Sequence, residues 1–246
     1  MVRKASARGM VGVGLLLLSL FAGGQAFGLT LSGSSGNLAA SADFSIVGGN
    51  LQVILTNTSA FDVMIPADIL TALFFDLDGS PALTSISAVL GVGSSVLFGV
   101  SDPGGVVGGE WAYGSGLSGA PGGAGQGISS SGLGLFGGAT FPGTNLQGPA
   151  AVDGMQYGIV SAGDNPLTGN APVTGANAFI QNAVVFTLGG LPGDFSLDDI
   201  SNVSFQYGTA LTYPNIRPPL VPEPASVILL GLGLGGLVFR KTRKAV

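Results

Sequence analysis

The sequence contains no cysteine and no histidine. Without thiols there are no disulfides, no thiolate metal sites and no thiol nucleophile. Without imidazole there are no Ser-His or Cys-His dyads, no histidine zinc sites and no haem ligation by histidine. Positive charge is nearly missing from the middle of the chain. Seven of the 8 Lys and Arg residues are Arg3, Lys4, Arg8, Arg240, Lys241, Arg243 and Lys244, which leaves Arg217 alone between the two ends. The body therefore has no lysine, and Ser-Lys dyads are excluded as well. All 13 acidic residues lie between the basic ends, so the overall charge of −5 conceals a body that carries −12. Such a field repels nucleic acid, attracts cations and keeps a sparsely charged domain soluble. Nucleic acid is excluded as a partner. Paired carboxylates are the one common catalytic toolkit left. A glycosidase built on them needs two carboxyls about 5 Å apart in a cleft, with one pKa raised.

What is present at the N-terminus is a basic n-region (Arg3, Lys4, Arg8), a leucine-rich apolar run over residues 11–22, and small residues at Ala22, Gly23, Gly24, Ala26 and Gly28. This pattern is a secretory signal peptide over residues 1–28, and it implies the Sec export machinery as a partner. Cleavage after Ala26 and cleavage after Gly28 both fit the small-x-small rule.

The C-terminus has three parts in order. Val221, Pro222, Glu223, Pro224, Ala225 and Ser226 form a kinked peptide that cannot be helical throughout, because each proline lacks an amide donor and pushes the preceding residue to extended geometry. Residues 227–239 are thirteen residues without a charge, or fifteen counted from Ala225. A stable span needs roughly 20, and Gly231, Gly233, Gly235 and Gly236 weaken this one further. Arg240, Lys241, Arg243 and Lys244 then act as a stop-transfer cluster that stays cytoplasmic. A plain membrane anchor behind a Pro-rich linker is one reading of this tail. A short transmembrane helix held briefly in the inner membrane and then cut is the other. With both termini held inside by their charges, the body is exported.

The motif from Val221 to Ser226, the Gly-rich apolar run and the terminal Arg/Lys cluster together resemble the PEP-CTERM sorting signal of exported proteins of Gram-negative bacteria. The resemblance covers about a tenth of the chain. It implies recognition by an exosortase, a membrane-embedded transpeptidase-like enzyme that would cut near the Pro-Glu-Pro. It further implies a precursor held at the inner membrane and then delivered to the cell surface or the extracellular matrix and biofilm. It says little about the domain being sorted.

That domain reads as β structure. Residues 42–47 and 51–57 are strands around a Gly48-Gly49-Asn50 turn, the pattern of a hairpin. Residues 29–37 read as a Ser/Gly-rich lead. Further strands are expected over 61–65, 70–75, 83–90, 94–100, 155–162, 179–188 and 203–207, with a capped helical turn at Ser196. Between residues 101 and 148 there are seventeen glycines with no Gly-X-Y period, which excludes collagen. Aromatic islands at 110–113 and 133–136 interrupt this stretch. They suggest long loops packed over a sheet with a short strand at each island, the alternative being a disordered linker. The fold class expected is mainly β: an antiparallel β-sandwich, with the jelly roll as a specific form, carrying long Gly-rich loops between an N-terminal signal helix and a short C-terminal apolar helix. A β-solenoid is the alternative, but the strands lack a fixed period. The domain runs over 29–212, a Pro-rich tether over 213–220, and the sorting signal over 221–246.

Three features of the body point towards chemistry. Asp76 and Asp78, two residues apart before Gly79, match part of a calcium-loop pattern but lack the distal glutamate; an Asp-Gly turn between strands is the other reading. Asp198-Asp199 is a second acidic pair, suited to calcium or to capping a turn. Trp111 and Tyr113 suit stacking on sugar rings of an extracellular polysaccharide, or anchoring of a loosely packed region. The sequence thus supports a non-enzymatic surface or matrix protein without a cofactor, with a calcium- or carbohydrate-binding module as the alternative and a carboxylate glycosidase as a third.

Overall fold

The computed structural model describes residues 28–148 and 150–219. The signal peptide up to Phe27 and the whole sorting tail lie outside them. Thirteen strands are described, in two sheets.

The first sheet begins with a meander. β1 (Gly28–Ser35) pairs with β2 (Leu38–Val47), and β2 with β3 (Asn50–Asn57). The β2–β3 turn is Gly48-Gly49, both at positive φ, which a two-residue hairpin demands. The sheet continues through β11 (Ala183–Gly189) to β5 (Thr84–Leu90), giving the order β1-β2-β3-β11-β5, antiparallel throughout. Ala40, Ala42 and Phe44 on β2 and Leu51, Val53 and Leu55 on β3 alternate with exposed or half-buried residues, so one face is apolar.

The second sheet has the order β13-β12-β4-β9-β10-β6. Its strands are β13 (Asn215–Ile216), β12 (Ile200–Tyr207), β4 (Leu70–Leu77), β9 (Ile159–Val160), β10 (Phe179–Gln181) and β6 (Ser95–Leu97). β8 (Gln126–Ser129) also pairs with β4, and β7 (Ala112–Ser115) pairs with β8. β9 and β10 run parallel, so the sheet is mixed rather than purely antiparallel. The apolar faces of the two sheets meet as a sandwich. Phe44 of the first sheet packs edge-on against Phe75 of the second, with ring centroids 5.9 Å apart.

β4 is buried on both faces. Leu73, Phe75 and Leu77 face the first sheet, whereas Ala72 and Phe74 face a second cluster with Ala112, Ala120, Ala124, Phe136 and Val152. The middle of the Gly-rich stretch is therefore a lid of ordered loops over the outer face of the second sheet, its flanks send Val107, Trp111 and Phe141 into the main core, and the disordered-linker alternative is set aside. The aromatic island at 110–113 forms β7 in part. The island at 133–136 is a turn closed by the Leu135 and Phe136 amides on the Gly132 carbonyl, which delivers Phe136 onto Phe74.

Several expectations change. Residues 29–37 are not a lead but include a full edge strand. Residues 61–65 are not a strand; the loop at 58–69 is held by side-chain bonds instead. The run 179–188 is two strands belonging to different sheets, broken at Asn182, which takes φ 88°. Residues 155–162 provide only the two-residue β9, and 94–100 only β6. Residues 215–216 of the expected tether pair with β12 as β13.

Candidate functional site

The sorting motif itself lies outside the described residues, but the segment that launches it is described. Gln206 on β12 is buried, and its side-chain amide donates to the backbone carbonyls of Tyr207, Ala210 and Tyr213 at 2.9–3.2 Å. One side chain thus folds the 208–214 turn and returns the chain antiparallel along β12. β13 follows, with Asn215 opposite Gln206 and Ile216 opposite Phe205. Ile216 is buried in the main core, next to the backbone of Gly33 on β1. A methyl group on Gly33 would come within 2.9 Å of both the Ile216 side chain and the Arg217 carbonyl, so only glycine permits this approach.

Beyond Ile216 the chain runs through Arg217, Pro218 and Pro219. These three, with Leu31 of β1 and Ile200–Val203 of β12, line a groove along the side of the sandwich. The Arg217 side chain reaches to Gly122 and lies close to Asn202. The two prolines have no amide to offer, so this segment cannot extend the β13 ladder.

Asp76 and Asp78 sit at the opposite end of β4, beside Asp198 and Asp199, and all four line one open groove with Ser201. Three of the four carboxylates already accept hydrogen bonds within the fold. Asp76 accepts from the Gly125 amide at 2.6 Å and from the Asn202 side-chain amide at 2.8 Å, one bond on each oxygen. Asp78 accepts from the Gly79 amide within its own turn. Asp199 accepts from the Ser196 amide, and Ser196 Oγ accepts from the Asp198 amide, so this pair closes a capped 3-10 turn at Leu197–Asp199. Among the described residues no group of three or more acidic side chains is arranged to hold a metal ion. The Asp-Gly turn accounts for Asp78, and Asp76 braces the Gly-rich loops against β12.

The sugar-stacking expectation is corrected for Trp111. Trp111 is fully buried, edge-on to Phe186 with centroids 5.0 Å apart, so its face is not open to a ring from solvent. Tyr113 is half-buried; its hydroxyl donates to Gln126 Oε1 and accepts from the Leu83 amide, and burial raises its pKa. Both residues pin the loop lid to the sandwich.

Two buried carboxylates were not singled out by sequence reasoning. Glu110, at the end of the 3-10 turn Gly108–Glu110, accepts through Oε1 from the amides of Leu146 and Gln147. Desolvation is the largest influence on it and raises its pKa; the two amides oppose this and the charge of Asp153 adds to it. Asp164 accepts from the Val63 amide at 2.6 Å, and its pKa is also raised, first by burial, with Asp62 contributing. Glu110 and Asp164 belong to different loops, and each tethers backbone. The signal was available: in a chain with 9% charged residues, an isolated acid among glycines is informative.

A family model described as the PEP-CTERM protein-sorting motif matches residues 220–244. Comparison with curated proteins and with solved structures found no match. The matched segment begins one residue after the last described one. The motif implies an exosortase as processing partner and export to the cell envelope or surface.

Proposed function

We propose that this chain is a non-enzymatic surface or matrix protein whose β-sandwich is exported, held at the inner membrane by its tail, and released by cutting near Pro222-Glu223-Pro224. The observation that carries this reading is the sorting motif at residues 220–244. Pro218 and Pro219 have no amide to extend the sheet, which suits a segment that leads to a motif read by a processing enzyme. The apolar run of thirteen residues holds the precursor long enough to be processed without anchoring it permanently.

The body supports a structural rather than a chemical role. It lacks thiols, imidazoles and lysine, and Asp76, Asp78, Glu110, Asp164 and Asp199 each hold backbone amides. Its acidic, sparsely charged surface suits a soluble component of an envelope or biofilm matrix. No calcium or sugar requirement is proposed, because Asp76 and Trp111 are already used by the fold.

Replacement of Glu223 by alanine, and separately deletion of residues 240–244, tests this reading in cells. Each is expected to leave an uncut precursor in the membrane fraction. Normal processing in both variants would overturn it.

A further inference from the structure

One end of the sandwich is built inside out. Here the 58–69 loop between β3 and β4 meets the 163–170 loop. Three carboxylates in these loops bond to the loops' own amides, Asp164 buried and Asp62 and Asp68 half-buried. Asp68 accepts from the amides of Met64 and Ile65 at 3.1 Å; Asp62 accepts from the Asn165 amide and the Thr168 hydroxyl; Asp164 accepts from the Val63 amide. With the polar groups consumed internally, the apolar side chains point out. Phe61 is 53% exposed, Met64 51%, Ile65 45% and Leu167 81%. Tyr213, also part-exposed, stands at the same end, beside Gly208 near Ala67. A soluble loop ordinarily does the reverse, and exposed apolar side chains gathered in adjoining loops in this way mark a contact surface.

The chain's own length identifies what that surface meets. Pro219 lines a groove with Ala39 and Thr58, at the start of the 58–69 loop. Ala225 lies six residue steps beyond Pro219, and Val227, where the uncharged run begins, lies eight. At full extension they span at most about 20–29 Å. A domain leashed this closely to a lipid-embedded segment keeps this side near the bilayer. We propose that, while the tail holds the chain, the apolar end formed by Phe61, Met64, Ile65 and Leu167 rests in the lipid interface, with Tyr213 at its edge. The contact orients the precursor and holds the Pro-Glu-Pro at a fixed height. Aliphatic and aromatic side chains, with the neighbouring carboxylates bonded to backbone amides, suit an acyl–headgroup boundary. The acidic groove of Asp78, Asp198 and Asp199 lies at the opposite end, away from anionic headgroups. Cutting the tail removes the leash, and the exposed loops alone are too small a patch to retain the domain.

This inference rests on the proposal that the apolar run lodges in the membrane, and the test separates the two. Because the chain has no cysteine, single-cysteine variants of the full chain label cleanly. Met64→Cys, Leu167→Cys and, at the opposite end, Asp194→Cys carry an environment-sensitive fluorophore. The chain is reconstituted in phosphatidylethanolamine–phosphatidylglycerol vesicles, with and without brominated acyl chains. The expected result is loss of fluorescence to the brominated lipid and shielding from aqueous iodide at positions 64 and 167, with the converse at 194. Co-flotation with all three labels open to iodide would overturn the inference alone and leave the tail reading standing. Labels at 64 and 167 shielded from iodide but untouched by brominated lipid would mean a protein partner or a second copy covers the patch, which also overturns it. Failure of the full chain to float with the vesicles would overturn the tail reading and this inference with it.

Discussion

Trp111 and Glu110 show how single residues in this chain answer to the fold rather than to a ligand. Trp111 fills the space between the Gly-rich loops and Phe186, and its indole N–H, buried, has no protein acceptor. Trp111→Ala is expected to cost about 3–5 kcal/mol in a denaturant titration. Trp111→Phe should recover most of that loss, because it keeps an edge-on ring and removes a buried donor that has no partner. Glu110 bears on pH. Burial raises its folded-state pKa above the unfolded value of 4.5, so its contribution to stability is fully present below that value and is lost as pH rises through the folded pKa. Glu110→Gln retains an oxygen to accept from the Leu146 and Gln147 amides without the ionisation. The variant and the parent are expected to melt together in acid, with the variant becoming the more stable at neutral pH; a parent that stays ahead at neutral pH contradicts this reading.

At the scale of elements, alternation and turn chemistry made most strands legible, and side-chain contacts decided the remainder. The β2–β3 hairpin is readable because Gly48-Gly49 accepts positive φ between alternating runs. β1 escapes the same reading because its third inward position is Gly33, where the close approach of Ile216 and Arg217 leaves no room for an apolar side chain. The 61–65 run has strand-like residues, yet its amides are taken by Asp68 and Asp164, so no ladder forms. Nothing local distinguishes β10 from β11; Asn182 divides them because its side chain donates to the Val92 carbonyl and its backbone amide to Val160. Two changes probe the element level. Gly109→Ala would place a methyl group 1.9 Å from the Thr144 carbonyl oxygen, where the 141–147 strap crosses. It should destabilise by about 1–3 kcal/mol or more and open the strap to limited proteolysis. Ile216→Ala removes the anchor of β13 and should cost about 2–5 kcal/mol, with new cleavage between residues 208 and 219.

For the whole molecule, one arginine stands against twelve acids over the described residues, so the folded domain repels itself. Added salt should raise its melting temperature by screening, and calcium should do no better than sodium at equal ionic strength. A calcium shift well beyond the sodium one would restore a cation site at the acidic groove. The sorting motif was legible from the sequence because it is a linear pattern of Pro-Glu-Pro, apolar run and basic cluster. The domain's part in the envelope is not written that way, since its surface is loops whose contacts come from distant residues. The central claim is that export and cutting turn a two-tailed precursor into an acidic surface domain, and intact-mass measurement of the protein recovered from the cell envelope tests it most directly. The account predicts an N-terminus following Ala26 or Gly28, and a C-terminus within the Pro222-Glu223-Pro224 region with the apolar run and basic cluster gone. A mass that extends to Val246 would contradict it.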